Sequence, residues 1–456
     1  MIVMKFGGTS VGNADRITQL IEIVRSRAAD DQVIVVVSAM SGVTNLLEEA
    51  CLKASAKNEG YRSSLDMIIR KHEECIGGMA FSAGVSAALI EQIRDPIHRL
   101  GVICRGLSLV GDLTAKTKAY IMSFGEVLSS LIVRAAMDAA GLEAQLIDSR
   151  EVIVTDDHYI AARVDFEETN RRIRERVSVG NRIYIAPGYV ARSTEGESTT
   201  LGRGGSDYTA AIFAGALDAS ALEIWTDVNG MMSADPRLVR ETVTIPTMSY
   251  EEAMELSYFG AKVIYPPTIQ PALAKGIPIV IKNSFEPQNP GTVISKNADK
   301  DSHFVKGLTC IQDIALVTVS GSGMIGAPGI SHRFFQALGQ QGINIFFITQ
   351  SSSEHNISCA IARQDADVAK KIIEGSYELE MSLGKIDPIH VEYDLALVAV
   401  VGDGMRERAG LAGKLFSLLG ENGINVRAIA QGSTERNVSF VIGQHNAQKA
   451  LNVLHE

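Results

Sequence analysis

Five short apolar runs, Val33–Val37, Leu146–Asp148, Ile183–Ala186, Leu222–Thr226 and Ile277–Lys282, recur along the first part of the chain. They are rich in β-branched residues and bounded by turn formers, the pattern of strands buried on both faces. Between them lie amphipathic stretches such as Phe124–Ala140 and Asp207–Ala216, and a further helix is predicted from about Asp15 to Ala29. Strand–helix alternation over this length predicts an α/β domain built on a mainly parallel sheet. In such sheets ligands bind beyond the carboxyl ends of the strands, so those loops are the ones to read. Residues 284–307 are polar, with Pro, Gly and mixed charge, and predict a junction after a first domain at 1–283.

Past the junction the pattern repeats. Val317–Met324 matches Val398–Met405, Gly342–Ile345 matches Gly423–Val426, and Gln350–Glu354 matches Gln431–Glu435, always 81 residues apart. An ungapped match at constant offset indicates one folding unit duplicated, here at 308–390 and 391–456. Each copy reads strand, Gly-rich turn, helix, strand, Ser-rich turn, strand. A βαβ-type unit this small is expected to pair with its twin and so cover a sheet edge.

Composition narrows the class. A chain of 456 residues predicts two or three domains, and 46% hydrophobic with 21% charged residues describes a globular protein with ample core. A formal net charge of −10 argues against a nucleic-acid partner. The lack of a long uninterrupted apolar window argues against a membrane span. Strand-like sequence from residue 2, without a basic-then-apolar leader, predicts a cytoplasmic protein. The five cysteines (Cys51, Cys75, Cys104, Cys310 and Cys359) show neither metal-ligand nor disulfide spacing and are expected to be buried free thiols.

Candidate chemistry sits in the strand-end loops. Lys5-Phe6-Gly7-Gly8-Thr9-Ser10-Val11-Gly12 runs a strand into a glycine pair, hydroxyls and a helix. Glycines able to adopt φ > 0, a helix N-terminus and a lysine make either an anion site or a tight strand-to-helix turn. Ser38–Asn45 offers hydroxyls for a ligand or a helix cap. Glu126 opens a helix, as dipole complement or as the partner of an ammonium group. In Leu201-Gly202-Arg203-Gly204-Gly205-Ser206-Asp207 glycines surround one arginine, whose planar fork suits a carboxylate or phosphate, and a ligand loop is the better reading. Asp227 and Asp235 flank an Asn229-Gly230 turn, and Lys262 ends a helix.

Taken together, these loops and the tandem repeat resemble the aspartate kinases, within the amino-acid kinase family, with a C-terminal pair of ferredoxin-like ACT domains. The resemblance covers the whole chain. It implies ATP-dependent phosphorylation of the β-carboxylate of L-aspartate, a step toward lysine, threonine and methionine. By that resemblance Lys5 bridges the ATP phosphates and the transferred group, and Gly7, Gly8 and Ser10 line the phosphate loop. Ser38, Thr44, Glu126, Arg203 and Ser206 hold aspartate, Glu126 through its ammonium and Arg203 through its α-carboxylate. Asp207 orients the lysine, while Thr226, Asp227, Met232, Arg237 and Lys262 contact the nucleotide. Mg²⁺ rides with ATP and needs no dedicated protein site. A carboxylate nucleophile is already ionised at neutral pH, so no general base is required. Two departures stand out: Met232 where relatives often have tyrosine, and Tyr265 where they often have histidine.

For the repeats the resemblance implies a feedback amino acid bound near Met324, Ala327, Ile330, Asn344, Ile345 and Gln350, with Asn425, Val426 and Gln431 as the twin set. Phe346 and Ser352 stand where lysine-sensitive relatives place acids, which favours threonine over lysine as effector. Relatives of the threonine-sensitive class are often fused to a homoserine dehydrogenase; with the sequence ending at Glu456 a monofunctional form is expected. Unsatisfied ACT sheet edges predict a homodimer or higher homo-oligomer through the ACT domains. Two alternatives stay open: a catalytically inactive amino-acid sensor of this fold, and a kinase for another small acidic amino acid.

Overall fold

The computed structural model describes residues 1–178, 180, 183–259, 264–296, 298, 304–406, 408–432 and 434–456, and every count or absence below refers to these. The chain forms two units, Met1–Met231 with Val263–Ala298, and Met232–Lys262 with Asp299–Glu456.

In chain order the elements are β1 (Ile2–Phe6), α1 (Ala14–Ala28), β2 (Val33–Val37), α2 (Val43–Ser55), α3 (Tyr61–Gly77), α4 (Ala83–Val110), α5 (Ala115–Met122) and α6 (Phe124–Ala139). Then come β3 (Ala144–Leu146), α7 (Ser149–Val152), β4 (Val154–Thr155), α8 (Phe166–Arg176), β5 (Ile183–Pro187), β6 (Val190–Ser193), β7 (Ser198–Thr200), α9 (Gly205–Ala216) and β8 (Ala221–Thr226). The second unit interposes β9 (Thr247–Met248) and α10 (Tyr250–Tyr258). The first unit closes with α11 (Gln270–Ala274), β10 (Ile279–Asn283) and β11 (Thr292–Ile294).

The first unit's main sheet runs β3-β5-β2-β1-β8-β10-β11. All its pairings are parallel except β10 with β11. β2 is Val-Ile-Val-Val-Val with every side chain buried, as a strand covered on both faces requires. β1 lies at the centre, with β2 on one side and β8 on the other. The strand order therefore reverses at β1, and the loop after Phe6 opens at the switch point where ligand crevices form. α1 to α4 and α6 contribute to one core cluster with β1, β2 and β5. The α5–α6 stretch Ala115–Ala139 is long and apolar enough to cross a membrane, but 67% of its window is buried in this core. A second sheet, β4-β6-β7, carries the chain from β5 toward α9.

The expected strands at Val33, Ile183, Leu222 and Ile277 are present within a residue or two. The one expected at Leu146–Asp148 instead runs Ala144–Leu146, because Asp148 accepts the Arg150 N–H and caps α7. Within 284–307, Thr292–Ile294 adds a strand to the sheet edge rather than a plain connection.

The second unit holds the repeats: β12 (Gly307–Ser320), α12 (Ile330–Gln340), β13 (Ile345–Gln350), β14 (Asn356–Ala362), α13 (Ala366–Ser376) and α14 (Glu378–Ser382), then β15 (His390–Val401), α15 (Leu411–Glu421), β16 (Val426–Gln431), β17 (Asn437–Gly443) and α16 (Ala447–His455). The 81-residue offset read in the sequence holds for the bounds of both helix–strand–strand sets. It extends to the backbone: Asp313 and Asp394 both take a left-handed φ of 55°, and Glu354 and Glu435 take 56° and 53°. Aspartate tolerates that region better than bulkier residues, and here it marks a bulge in each long strand. β12 and β15 pair antiparallel along both halves and join the repeats into one sheet, β13-β14-β12-β15-β17-β16.

Candidate active site

Lys5 is the one position of β1 that is not fully buried. Its ammonium lies 2.6 Å from the Asp207 carboxylate, and both side chains are only 12% exposed. A buried pair with this geometry fixes the lysine at the strand end. Asp207 stands in the first turn of α9, whose N-terminus carries no side-chain cap. Gly202 and Gly204 precede that helix with φ of 76° and 69°. A side chain at Gly204 would be strained, and its Cβ would also lie 3.0 Å from Tyr265 and Thr268.

The neighbouring residue on α9, Ser206, hydrogen-bonds Glu126 from the first turn of α6. Glu126 is 5% exposed. One carboxyl oxygen, Oε2, has no partner. Burial pushes this carboxyl up to about 8, against the opposing pull of the Ala39 and Glu126 N–H groups, Ser206 and Lys5. Consecutive residues of α9 thus tie a fixed cation to a buried acid with an open valence. Arg203 is exposed, its guanidinium 5.6 Å from the Tyr265 ring, and it pairs with no carboxylate among the described residues.

The glycine pair works by close approach. Neither Gly7 nor Gly8 adopts positive φ, contrary to the freedom first expected of them. The Gly7 N–H donates to the Trp225 carbonyl at 3.0 Å. A Cβ on Gly8 would lie 2.9 Å from the Ala39 carbonyl oxygen. The loop continues as a short 3₁₀ turn, Gly8–Val11, before α1, and α1 is capped by its own Asn13. The uncapped helix N-terminus near Lys5 is therefore that of α9, not of α1 as the sequence suggested. Ser38 and Thr44 lie half-buried in the β2–α2 stretch.

Ser10 is buried and faces inward. Its hydroxyl shares a 2.7 Å hydrogen bond with Ser284, which also holds the Thr226 carbonyl at 3.0 Å. Asn283 bonds Asn229 at 2.6 Å, and Asn229 bonds Glu286 at 3.0 Å. This network clamps the glycine loop and the turn of half-buried Thr226 and exposed Asp227 to the end of β10. The sequence reading missed Ser284, Asn283 and Asn229. It also missed Tyr189, which takes a left-handed φ of 68° beside the site and donates its N–H to the Thr209 hydroxyl. Strain in a bulky residue of this kind is characteristic of functional loops.

Of the remaining expected residues, Met232 and Arg237 belong to the second unit. There Met232 accepts the Thr244 hydroxyl and Arg237 pairs with Asp235. Lys262 lies outside the described residues. In the repeats, Met324 and Ile330 are buried in the core of the first copy, with Ala327 and Ile345 partly buried against it, and Val426 is the half-buried twin of Ile345. Asn344 and Gln350 are exposed at the ends of β13, and Asn425 and Gln431 at those of β16. No group of three His, Cys, Asp or Glu able to hold a metal occurs among the described residues. The cysteines are free and four are buried; burial raises Cys75 and Cys104 to about 11 and Cys51, Cys310 and Cys359 to about 12.

The family model for the amino acid kinase family matches residues 1–283, the span that holds Lys5, Glu126 and Asp207. The chain belongs to the amino acid kinase family. Its C-terminal repeats match the ACT domain at 317–377 and 398–456, so the chain joins an amino acid kinase domain to two ACT domains. A bifunctional aspartokinase/homoserine dehydrogenase of Haemophilus influenzae is 38% identical across 100% of this chain and 56% of its own length. A chloroplastic bifunctional enzyme of Arabidopsis thaliana is 34% identical across 99% of the chain and 50% of its own length. The chain thus spans about half the length of these curated relatives. Among solved structures, aspartokinase III of E. coli in complex with aspartate and ADP aligns with a TM-score of 0.84 at 27% identity, covering 100% of this chain and 99% of that one. Aspartate kinase of Clostridium acetobutylicum aligns equally well.

Proposed function

We propose that the chain is an aspartate kinase that transfers the γ-phosphoryl group of ATP to the β-carboxylate of L-aspartate, giving 4-phospho-L-aspartate and ADP. The observation that carries this reading is the buried Glu126 with its unpartnered oxygen, one α9 residue away from the Lys5–Asp207 pair. A buried carboxyl without a partner is costly unless a ligand cation completes it. An amino acid supplies that ammonium, while its α-carboxylate suits the unpaired Arg203. The β-carboxylate then faces Lys5.

A carboxylate oxygen forms the new bond to the γ-phosphorus as the bond to the ADP oxygen breaks, and no proton moves. The obstacle is two anions meeting. Lys5 and the uncapped end of α9 offset that charge, and Asp207 holds the lysine in place rather than acting as a base. The tight packing of Gly8 against the Ala39 carbonyl fixes the loop after β1, and Thr226 and Asp227 take the nucleotide side. Mg²⁺ would be held by phosphate oxygens and would supply further charge neutralisation.

The ACT pair carries feedback control, with threonine as the proposed effector, near Asn344 and Gln350 and their twins. An ε-ammonium would find Phe346 and Ser352 there instead of acids. The support for the division at 1–283, 284–307, 308–390 and 391–456 is the constant offset of the elements. Exposed Ile348 and Ile429, twins on the outer strands β13 and β16, support a homo-oligomer through this sheet. ADP release dependent on L-aspartate, with threonine and lysine titrated separately, tests the reading; inhibition by lysine alone would overturn the effector assignment.

A further inference from the structure

Backbone strain in the first unit gathers on one loop. Among the described residues, its non-glycine positions with left-handed φ are Lys57, Tyr159, Ala161, Tyr189 and Asp218. Lys57 and Asp218 follow the C-caps of α2 and α9, where helices commonly end in this conformation. The other three, at 58°, 54° and 68°, all abut residues 200–205. The Tyr159 carbonyl accepts the Thr200 N–H at 2.7 Å, and the Ala162 N–H donates to the Thr200 carbonyl at 3.0 Å. The Tyr189 carbonyl accepts the Leu201 N–H at 2.9 Å. A Cβ on Gly205 would lie 2.6 Å from the Tyr189 ring, and one on Gly202 would lie 2.8 Å from the Ala161 Cβ.

Ala161 gains no stability from its conformation. It is exposed, so its methyl group buries little. Alanine has no polar side-chain atom to hydrogen-bond locally in the left-handed region, and glycine would sit there without strain. The segment is nonetheless closed into this shape. The Asp156 carboxylate accepts the N–H groups of His158 and Arg163 at 3.3 and 3.0 Å and holds the His158 ring at 2.8 Å. The Asp156 N–H meets the Arg163 carbonyl at 2.9 Å. The closed loop sets the Ala161 methyl beside Gly202.

Arg203 needs such support, because glycines at 202, 204 and 205 give its loop no stiffness of its own. On the aspartate kinase reading, on which this inference rests, the substrate is held at three points: its ammonium at Glu126, its α-carboxylate at Arg203 and its reacting carboxylate at Lys5. Ser206 and Asp207 tie Glu126 and Lys5 to adjacent residues of α9. The remaining variable is where Arg203 stands. We propose that Ala161 is a positioning residue: with Tyr159 and Tyr189 it braces the Arg203 loop and so sets the length of amino dicarboxylate that the site accepts, four carbons rather than five. Strain kept at the expense of stability is here the means of pre-organisation.

The test uses the full chain with ATP and Mg²⁺, taking KM and kcat for L-aspartate and the inhibition constant of L-glutamate as a competitor. In Ala161→Gly the KM for aspartate should rise with kcat little changed, and the preference for aspartate over glutamate should fall by about tenfold, the worth of one methylene group in a rigid site. Its Tm should be no lower than native, since at positive φ the strain of alanine outweighs its entropic advantage. Ala161→Asn keeps a Cβ and tolerates the left-handed region, so it should retain the native KM and preference. Hydrogen exchange needs no substrate: the amides of residues 201–205 should exchange faster in Ala161→Gly, with those of α1 and α6 unchanged. Aspartate and glutamate affected alike, or unchanged exchange across 201–205, overturns the proposal. A native chain without aspartate-dependent ADP release strikes the kinase reading instead, and the exchange measurement still decides whether Ala161 braces the loop.

Discussion

At the scale of single residues, the buried Glu126 and the buried His72 each make the molecule's behaviour depend on pH. Glu126 has a folded-state value near 8, above its ordinary 4.5. Its contribution to stability is therefore complete below about pH 4.5 and is lost as pH rises through 8. Glu126→Gln should remove that alkaline loss, which denaturant melts at pH 6 and 9 will show. An incoming ammonium needs the ionised form, so aspartate binding should release a proton below pH 8. Calorimetry in buffers of different ionisation enthalpy measures that release, and zero protons released at pH 7 would refute the pairing. His72 in α3 is fully buried, its Nδ1 held 2.7 Å from the Ile68 carbonyl and its Nε2 without a partner. Burial lowers it to about 4 from 6.5. The unfolded chain then binds the proton more readily, so stability is full above pH 6.5 and falls as pH drops toward 4. The shift corresponds to about 3 kcal/mol. His72→Leu should flatten that acid slope in urea melts.

At the scale of elements, the site depends on how strand ends are tied together. Ser284 joins the glycine loop after β1 to the turn after β8. Ser284→Ala leaves Ser10 short of one buried partner, a cost of about 1–3 kcal/mol. Its expected kinetic effect is a raised KM for ATP with kcat little changed, because the loop is loosened while Lys5 keeps Asp207; steady-state kinetics with varied ATP will show whether kcat falls instead. These ties also explain what the sequence disclosed. The strands were legible because runs such as Val-Ile-Val-Val-Val admit few other fates. The Lys5, Glu126 and Arg203–Asp207 loops were legible because each puts a charge beside glycines or in a first helical turn. Ser284 was not, since its partner Ser10 is 274 residues away and its own surroundings read as a polar junction. Nor was the uncapped end of α9 distinguishable from that of α1, because capping by Asn13 is a matter of local backbone geometry.

At the scale of the whole molecule, an amino acid kinase domain is joined to a duplicated ACT module whose repeats share one sheet through β12 and β15. The duplication was plain in the sequence because the offset never changes. Threonine titrated against turnover should inhibit, and Gln350→Ala should weaken that inhibition by about tenfold or more if the amide contacts the effector. The central claim is that Lys5, Asp207 and Glu126 transfer phosphate to aspartate. It is tested most directly by ADP release from ATP and Mg²⁺ with L-aspartate, the acyl phosphate being trapped with hydroxylamine, for the native chain and for Lys5→Ala. The account predicts aspartate-dependent ADP matched by hydroxamate, and a loss of about 100-fold or more in a Lys5→Ala chain that remains folded. ADP release indifferent to aspartate, or near-normal turnover without Lys5, would contradict it.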